Sequence, residues 1–223
     1  IAGIKKSELK SQNCLDEKKL IVPELNQKIN EKFPKKKIEK GAFKILFMNV
    51  SGYFSSESDS QERVLMEPPL GLIALQSYLD REFKGKIEGK ILKSRLDFDS
   101  YEEAVALIKE FKPDVIGIST MTFYREFCHR LISFIRDKGI NTPLFVGGPY
   151  PTGDFENVLK DRNIDLCSLG EGEVTVSELV SEMIKNGNKL PSKEILREIP
   201  GLAFVDEKKM ADAIWSATIV DKK

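Results

Sequence analysis

Short apolar runs alternate five times with stretches of helical periodicity between residues 43 and 186, and this alternation limits the possible folds more than any other feature of the sequence. The clearest run, at residues 115–118, is continuously apolar, which is typical of a parallel strand buried on both faces. Helices that join parallel strands cross over right-handedly. The chain is therefore predicted to form an α/β fold, a doubly wound, flavodoxin-like Rossmann sheet of five parallel strands in the order 2-1-3-4-5.

The predicted strands cover residues 43–50, 87–94, 115–122 and 164–169, together with a run that begins at Leu144. The predicted helices cover residues 70–83, 101–111, 123–138, 154–162 and 175–186. Asp99 and Ser100 precede the second helix and are residue types that cap helix N-termini. One more short strand is expected within residues 199–205.

The chain divides into three parts by composition. Residues 1–40 are rich in Lys, Glu, Asn and Gln and are interpreted as a lysine-rich N-terminal extension. Residues 41–190 carry the alternation and are predicted to be the α/β domain. Residues 191–223 are less regular and are expected to be a linker or a truncated continuation. The first residue is Ile rather than Met, so we expect this chain to be a piece of a longer protein.

Charge and cysteine content exclude several classes of partner. Lys and Arg together number 35, as do Asp and Glu, so no overall basic charge indicates a nucleic-acid partner. No apolar run reaches membrane-spanning length, and no secretory signal is evident. The cysteines, Cys14, Cys128 and Cys167, are far apart and odd in number, which is typical of reduced thiols in a cytoplasmic protein. We expect neither a nucleic acid nor a membrane as partner.

The sequence offers no persuasive catalytic acid or base. Its single histidine, His129, lies inside a predicted helix with no paired ligand in view and is expected to be structural. The sequence has no Gly-x-x-x-x-Gly-Lys-Ser/Thr loop, and no Gly-x-Gly-x-x-Gly follows the first strand, which argues against triphosphatases and dinucleotide-binding enzymes. We therefore predict no catalytic residue and no metal ligand in this chain.

The loops expected at the carboxyl edge of the sheet are rich in Gly, Pro and hydroxyl residues. In an open α/β sheet, ligands bind at this edge. Gly147 and Gly148 carry no side chain, so a ligand can approach the backbone closely there. The edge is predicted to bind a large, mostly neutral ligand that carries amides or a phosphate. The simpler interpretation of the two glycines is a tight turn without a ligand.

Four motifs follow one another along this edge. They are Pro-Pro-Leu-Gly-Leu at 68–72, Asp-Val-Ile-Gly-Ile-Ser-x-x-Thr at 114–122, Val-Gly-Gly-Pro-x-Pro-Thr at 146–152 and Gly-Glu-Gly-Glu at 170–173. In this order they resemble the cobalamin (B12)-binding domain of B12-dependent radical S-adenosylmethionine enzymes, and the resemblance covers about residues 43–205.

The resemblance implies base-off cobalamin over the carboxyl edge, with the nucleotide tail entering the sheet. By position, the residues after strand three would contact the nucleotide tail or the corrin. Those after strand four would lie beneath the nucleotide loop, and those after strand five would close the far side of the binding site. Pro69 and Leu70 would shape the corrin rim. With the loop after strand one, the candidate cofactor-binding residues are Gly52, Tyr53, Pro69, Leu70, Ser119, Met121, Thr122, Gly147, Gly148, Pro149, Tyr150, Thr152, Gly170, Glu171 and Gly172.

Two departures from the family pattern shape the expected function. Residues 51–66 contain no histidine, so we expect no histidine on cobalt, and position 150 is Tyr where many relatives carry His. The Cys-x-x-x-Cys-x-x-Cys signature of the iron–sulfur cluster is missing from the sequence. The cluster and S-adenosylmethionine are therefore expected only in a radical S-adenosylmethionine domain, in the same longer chain or in trans, and this chain alone is not expected to be catalytic.

The expected function is a cobalamin-binding module that presents B12 for methyl transfer or related radical chemistry. Two alternatives remain open at this stage. One is a degenerate flavodoxin-like domain that acts only in protein interaction and holds no cofactor. The other is a B12 carrier without a radical partner.

Overall fold

The computed structural model describes residues 36–57, 68–206 and 217–219, and two short pieces at 27–28 and 31–32. The chain separates into two compact units, Ile1–Lys37 and Ile38–Lys223. In the first unit, the Gln27 side chain donates a hydrogen bond to Glu31 at 3.0 Å. Most of the expected N-terminal extension lies outside the described residues.

The second unit contains seven strands and six helices among the described residues. The strands are β1 (Phe43–Asn49), β2 (Ile87–Lys93), β3 (Val115–Ser119), β4 (Leu144–Gly147), β5 (Leu166–Ser168), β6 (Leu202–Val205) and β7 (Ala217–Ile219). The helices are α1 (Leu70–Phe83), α2 (Tyr101–Phe111), α3 (Arg125–Asp137), α4 (Pro149–Val158), α5 (Gly172–Lys185) and α6 (Lys193–Leu196). Short 3₁₀ turns lie at Ser55–Glu57 and Thr122–Tyr124.

The strands form one sheet in the order β2-β1-β3-β4-β5-β6-β7. The first five are parallel, and their order confirms the predicted 2-1-3-4-5 arrangement. The predicted count of five strands was too low for the whole sheet. The expected strand within 199–205 is β6, which pairs antiparallel with β5, and β7 adds to it antiparallel. An antiparallel addition at one edge of an otherwise parallel sheet is common.

Two apolar layers cover the two faces of the sheet. Alternate residues of a strand point to opposite faces, so Leu46 and Met48 belong to one layer and Ile45 and Phe47 to the other. The first layer buries side chains of α2, α3 and α4. The second buries side chains of α1, α5 and α6. The sheet is therefore covered on both faces. Its carboxyl edge, where the turns after the parallel strands meet, is not covered by these two layers.

Helix α4 begins earlier than the predicted 154–162. It starts at Pro149, directly after Gly148, and its backbone departs from helical angles at Asp154. Proline has the φ angle of a first helical residue and no N–H to leave unpaired, so it favours this start. By contrast, α2 begins as predicted, because the Ser100 side chain accepts a hydrogen bond from the Glu103 backbone N–H at 3.1 Å.

Cys128 and Cys167 are buried core residues. Burial raises the pKa of the Cys128 thiol to about 12, and it raises the pKa of Cys167 as well. Both side chains are therefore neutral thiols near neutral pH.

Among the residues described here, every helix is too short or too polar to cross a lipid bilayer.

Candidate functional site

A cleft of about 140 Å³ opens at the carboxyl edge, between the sheet and the first turns of α1 and α5. Its walls are apolar, formed by Phe47, Leu72, Leu75, Ile118, Phe145 and Val176. Its mouth and floor are formed largely by glycines, namely Gly71, Gly117, Gly147, Gly148, Gly170 and Gly172. An apolar slot with exposed backbone at its rim suits a flat organic group better than an ion.

Two of the glycines are required by the geometry. Gly148 has φ +94°, and a Cβ built on it would lie 3.0 Å from the Thr120 carbonyl oxygen and 3.3 Å from Ser119 Oγ. A Cβ on Gly117 would lie 2.5 Å from the ring of Phe145. That ring packs edge-on against Phe47 with centroids 6.4 Å apart. The two glycines thus allow the turn after β4 and the aromatic wall to approach β3.

The turns around the cleft are tied to one another by hydrogen bonds. The Thr152 hydroxyl donates to the Gly148 carbonyl at 2.9 Å and accepts from the Gly170 N–H at 3.0 Å. The Thr120 N–H donates to the Gly147 carbonyl at 3.1 Å. The turns after β3, β4 and β5 therefore form one connected rim.

Ser168 is a cleft residue that the sequence reasoning missed. It ends β5, its side chain is buried, and its hydroxyl is without a hydrogen-bond partner among the described residues. Its Oγ lies 3.7 Å from the position that a Cβ on Gly172 would take. A signal was present in the sequence: a polar residue ends an otherwise apolar strand, just before the Gly170 turn.

The charges at the mouth of the cleft are negative. Glu171 and Glu173 line it, and its lining contains no Lys or Arg among the described residues. Helix α5 begins at Gly172, and its N-cap Glu171 makes no side-chain capping bond. The backbone dipole at this end favours an anion, whereas the two carboxylates oppose one. Inside the mouth, the described lining is apolar or neutral.

A second cavity of about 310 Å³ lies beside the cleft, above the ends of β1, β2 and β3. It shares Ser119 with the cleft and also contains Pro69 and Met121. Its polar wall is ordered by side-chain contacts. Lys93 Nζ donates to Asn49 Oδ1 at 3.1 Å, and this pair holds the ends of β1 and β2 together.

Large apolar side chains are exposed around the same edge of the sheet. Phe123 is 81% exposed and Leu70 is 69% exposed. Leu96 and Met121 follow β2 and β3 and are also exposed, as is Val174 in the first turn of α5. We call these five residues the apolar rim. A cluster of exposed apolar side chains at one edge indicates a surface that a ligand or partner covers.

The structure brings together only part of the predicted site. The residues that line the cleft are Ser119, Gly147, Gly148, Gly170, Glu171 and Gly172. Those that line the second cavity are Ser119, Pro69 and Met121. Leu70 belongs to the apolar rim. Pro149 and Thr152 lie in the first turn of α4, directly behind Gly148.

The remaining predicted residues lie apart from the cleft lining. Thr122 begins the 3₁₀ turn after β3. A Cβ on Gly52 would lie 3.0 Å from the Tyr124 ring, and the Tyr53 ring lies under the Arg95 guanidinium, 4.6 Å from ring centroid to Cζ. Tyr150 is buried in the core on the α3 side of the sheet.

His129 joins α3 to α4 on the face of the sheet opposite the cleft. Its Nδ1 lies 2.7 Å from Asp161 Oδ2, and its Nε2 lies 3.1 Å from the Tyr150 hydroxyl. Burial raises the pKa of Asp161, but hydrogen bonds from His129 and from the Asn163 N–H outweigh it and hold the pKa below its usual value. The geometry gives His129 a structural role. Among the described residues there is no cluster of three or more potential metal-ligating His, Cys, Asp or Glu side chains.

Comparison with known proteins identifies related sequences. The family model of the B12 binding domain matches residues 63–180. The chain is 28% identical over 144 residues to the uncharacterized methyltransferase PH0819 of Pyrococcus horikoshii, covering 64% of this chain and 29% of the relative. It is 27% identical over 165 residues to the anaerobic magnesium-protoporphyrin IX monomethyl ester cyclase of Synechocystis sp., covering 69% and 30%.

Solved structures share the fold. The radical S-adenosylmethionine methyltransferase TsrM from Kitasatospora setae, solved with its tryptophan substrate and an S-adenosylmethionine analogue, superposes with a TM-score of 0.59 at 18% identity, over 81% of this chain and 30% of TsrM. The cobalamin-dependent S-adenosylmethionine radical enzyme OxsB, solved with aqua-cobalamin, gives 0.58 at 20% identity, over 82% and 23%. The chain thus spans a third or less of the length of each of these proteins.

Proposed function

Since this chain belongs to the B12 binding domain family, we propose that it is a cobalamin-binding module that presents the corrin at the carboxyl edge of its sheet for methyl transfer or related radical S-adenosylmethionine chemistry. The observation that carries the proposal is the glycine-lined cleft, which opens at the edge where the four sequence motifs converge. A protein-interaction domain without a cofactor gives no reason for such a cleft.

The residues present fit the nucleotide tail of cobalamin. The cleft offers apolar walls, a neutral interior and one buried hydroxyl without a partner among the described residues, that of Ser168. A Cβ at Gly148 would crowd the Thr120 carbonyl and Ser119 Oγ at the end of β3. We propose that the tail enters this cleft past Gly147, Gly148, Gly170 and Gly172, and that the corrin lies over the second cavity and the apolar rim.

The chain's own residues bind, orient and shield the cofactor. When bound, cobalamin supplies a cobalt centre that can carry and transfer a methyl group. The apolar rim would exclude water from the corrin face, and the connected turns would hold the tail. We propose a base-off state without histidine ligation, because the sole histidine, His129, is bound to Asp161 and Tyr150 on the far face of the sheet.

We propose that the iron–sulfur cluster and S-adenosylmethionine are supplied by a radical S-adenosylmethionine domain, in a longer chain or in trans. Support comes from the share of the relatives that this chain spans, about 30%. We also propose residues 41–190 as the cobalamin-binding domain, with 1–40 as an extension and 191–223 as a linker or continuation. The separated thiols favour the cytoplasm as its location.

The test is a titration of the purified protein with hydroxocobalamin and methylcobalamin, followed by absorbance and gel filtration. The expected result is co-elution with a base-off spectrum. The variant Gly148→Ala is expected to weaken binding, because its Cβ would enter the turn that floors the cleft. Its matched control is Gly139→Ala, which has a similar positive φ but open space around it. Wild-type protein that binds neither corrinoid would refute the proposal.

A further inference from the structure

The side chains of Asp161, His129 and Tyr150 are joined by two hydrogen bonds, and we call them the His129 network. Although burial raises the pKa of Asp161, its hydrogen bonds hold the pKa below the ordinary value, so the carboxylate is ionised at neutral pH and can only accept. The proton of this bond therefore lies on His129 Nδ1. In a neutral imidazole the other nitrogen, Nε2, is then unprotonated and accepts from the Tyr150 hydroxyl.

Tyr150 connects this network to the first turn of α4. The residue is 4% exposed, and burial, more than any nearby charge, raises the pKa of its hydroxyl, which is therefore a neutral donor near neutral pH. Among the described residues, His129 is the hydrogen-bond partner of this hydroxyl. The Tyr150 backbone N–H donates to the Thr120 carbonyl at 3.3 Å, and Gly148 is the N-cap of the helix. The network thus fastens the turn after β4 to α3.

Other charged and titratable groups face the His129 network from three elements. The Arg125 guanidinium, on the first turn of α3, is a cation beside the tyrosine, and the Asp154 carboxylate of α4 is an anion beside it. The thiols of Cys128 on α3 and Cys167 on β5 also act on the network, and burial raises the pKa of both, so they are neutral. Histidine is the side chain that ordinarily changes charge between pH 5 and pH 8. The imidazole is therefore the group of this cluster whose charge responds to pH near neutrality.

We propose that the His129 network is a proton-sensitive latch on the first turn of α4. A proton taken up from solvent at Nε2 converts this nitrogen from an acceptor into a donor, while Nδ1 continues to donate to Asp161. The Tyr150 hydroxyl then loses the group to which it donates, and a buried hydroxyl without an acceptor is costly. The latch is closed when the imidazole is neutral and is released as the pH falls through the range in which histidine titrates.

The test measures urea unfolding of wild type and Tyr150→Phe at pH 7.5 and at pH 5, where the carboxylate of Asp161 is still ionised. We expect the substitution to lower the folding equilibrium constant about threefold to tenfold at pH 7.5 and less than about twofold at pH 5. In a His129→Gln background, which cannot titrate, the effect should be the same at both pH values. The matched control is Tyr78→Phe on α1, whose ring lies under the Arg81 guanidinium and whose effect should not depend on pH.

An equal loss of stability at both pH values in the wild-type background would show that the bond to Tyr150 survives protonation, and it would overturn the latch. If Tyr150→Phe does not fold, nitrogen NMR of the wild-type protein takes its place, because His129 is the single histidine of the sequence. At pH 7.5 we expect a protonated Nδ1 and an unprotonated Nε2, and the reverse arrangement would refute the proposal. Neither measurement uses a corrinoid, so the result is independent of the proposed function.

Discussion

The hydroxyl of Thr152 accepts a hydrogen bond from the backbone N–H of Gly170 at 3.0 Å and so joins the turns that follow β4 and β5. The same hydroxyl donates to the Gly148 carbonyl at 2.9 Å. The resemblance placed Thr152 in the floor of the nucleotide loop. In the structure its hydroxyl joins two glycine turns, and Gly148 and Gly170 in these turns line the cleft.

Replacing Thr152 with Val removes both hydrogen bonds and keeps the branched shape of the side chain. We expect the free energy of unfolding to fall by only about 1 kcal/mol, since residue Thr152 is exposed, and cobalamin affinity to fall several-fold as the turns separate. Urea unfolding and corrinoid titration measure the two effects. Thr152→Ser keeps the hydroxyl and serves as the control. Wild-type affinity in Thr152→Val would show that the link between the turns does not shape the site.

Gly117→Ala is expected to destabilise the protein by about 2 kcal/mol, as overpacking in a core does. The cause is the 2.5 Å approach of the added Cβ to the Phe145 ring. A second substitution, Phe145→Leu, removes the ring that is struck. The double variant should therefore be more stable than the sum of the two single changes predicts, which urea unfolding measures. If the stability losses of the two single variants simply add in the double variant, the strain in Gly117→Ala does not come from the Phe145 ring.

Asp161→Asn is expected to lower stability at neutral pH by about 1 kcal/mol, because it weakens the hydrogen bond to His129. The pKa of Asp161 lies below its ordinary value of 3.8 in the folded protein. The carboxylate therefore adds stability above pH 4, and this contribution is lost as the pH falls through the lowered pKa. The gap between wild type and Asp161→Asn should narrow toward pH 3.

The measurement is the urea midpoint of wild type and variant between pH 7 and pH 3. Asp137→Asn, at an exposed aspartate that ends the same helix as His129, is the control and should change little. A stability difference between wild type and Asp161→Asn that grows between pH 4 and pH 3 would contradict the expected direction of the pH dependence.

Phe123→Ser tests the apolar rim. Because Phe123 is 81% exposed, we expect its loss to change the free energy of unfolding by less than about 0.5 kcal/mol. Corrinoid binding should weaken, since the ring would otherwise be covered by the ligand. The control is Ile38→Ser, at an exposed apolar residue that precedes β1 at the opposite edge of the sheet. If Phe123→Ser and Ile38→Ser both bind corrinoids as tightly as the wild type, the apolar rim is not part of the binding site.

The alternation of apolar and amphipathic segments was enough to predict the fold class and the order of the five parallel strands. Periodicity is a local property, and the handedness of the crossovers leaves few topologies. The glycine turns after β4 and β5 were also identified in advance, because Gly147, Gly148, Gly170 and Gly172 mark where the backbone itself forms the surface.

What the sequence determined by itself was thus the sheet, its order and the edge where a ligand can bind. The tertiary structure decided which side chains reach that edge. It directs Tyr150 into the core toward His129, leaves the Ser168 hydroxyl in the cleft, and joins Thr152 to Gly170. The contacts of Tyr150 with His129 and of Thr152 with Gly170 join residues that are 18 or more positions apart in the chain. The position of the Ser168 hydroxyl depends on which face of the strand end is buried. Packing between elements settles such questions, and local periodicity carries no information about them.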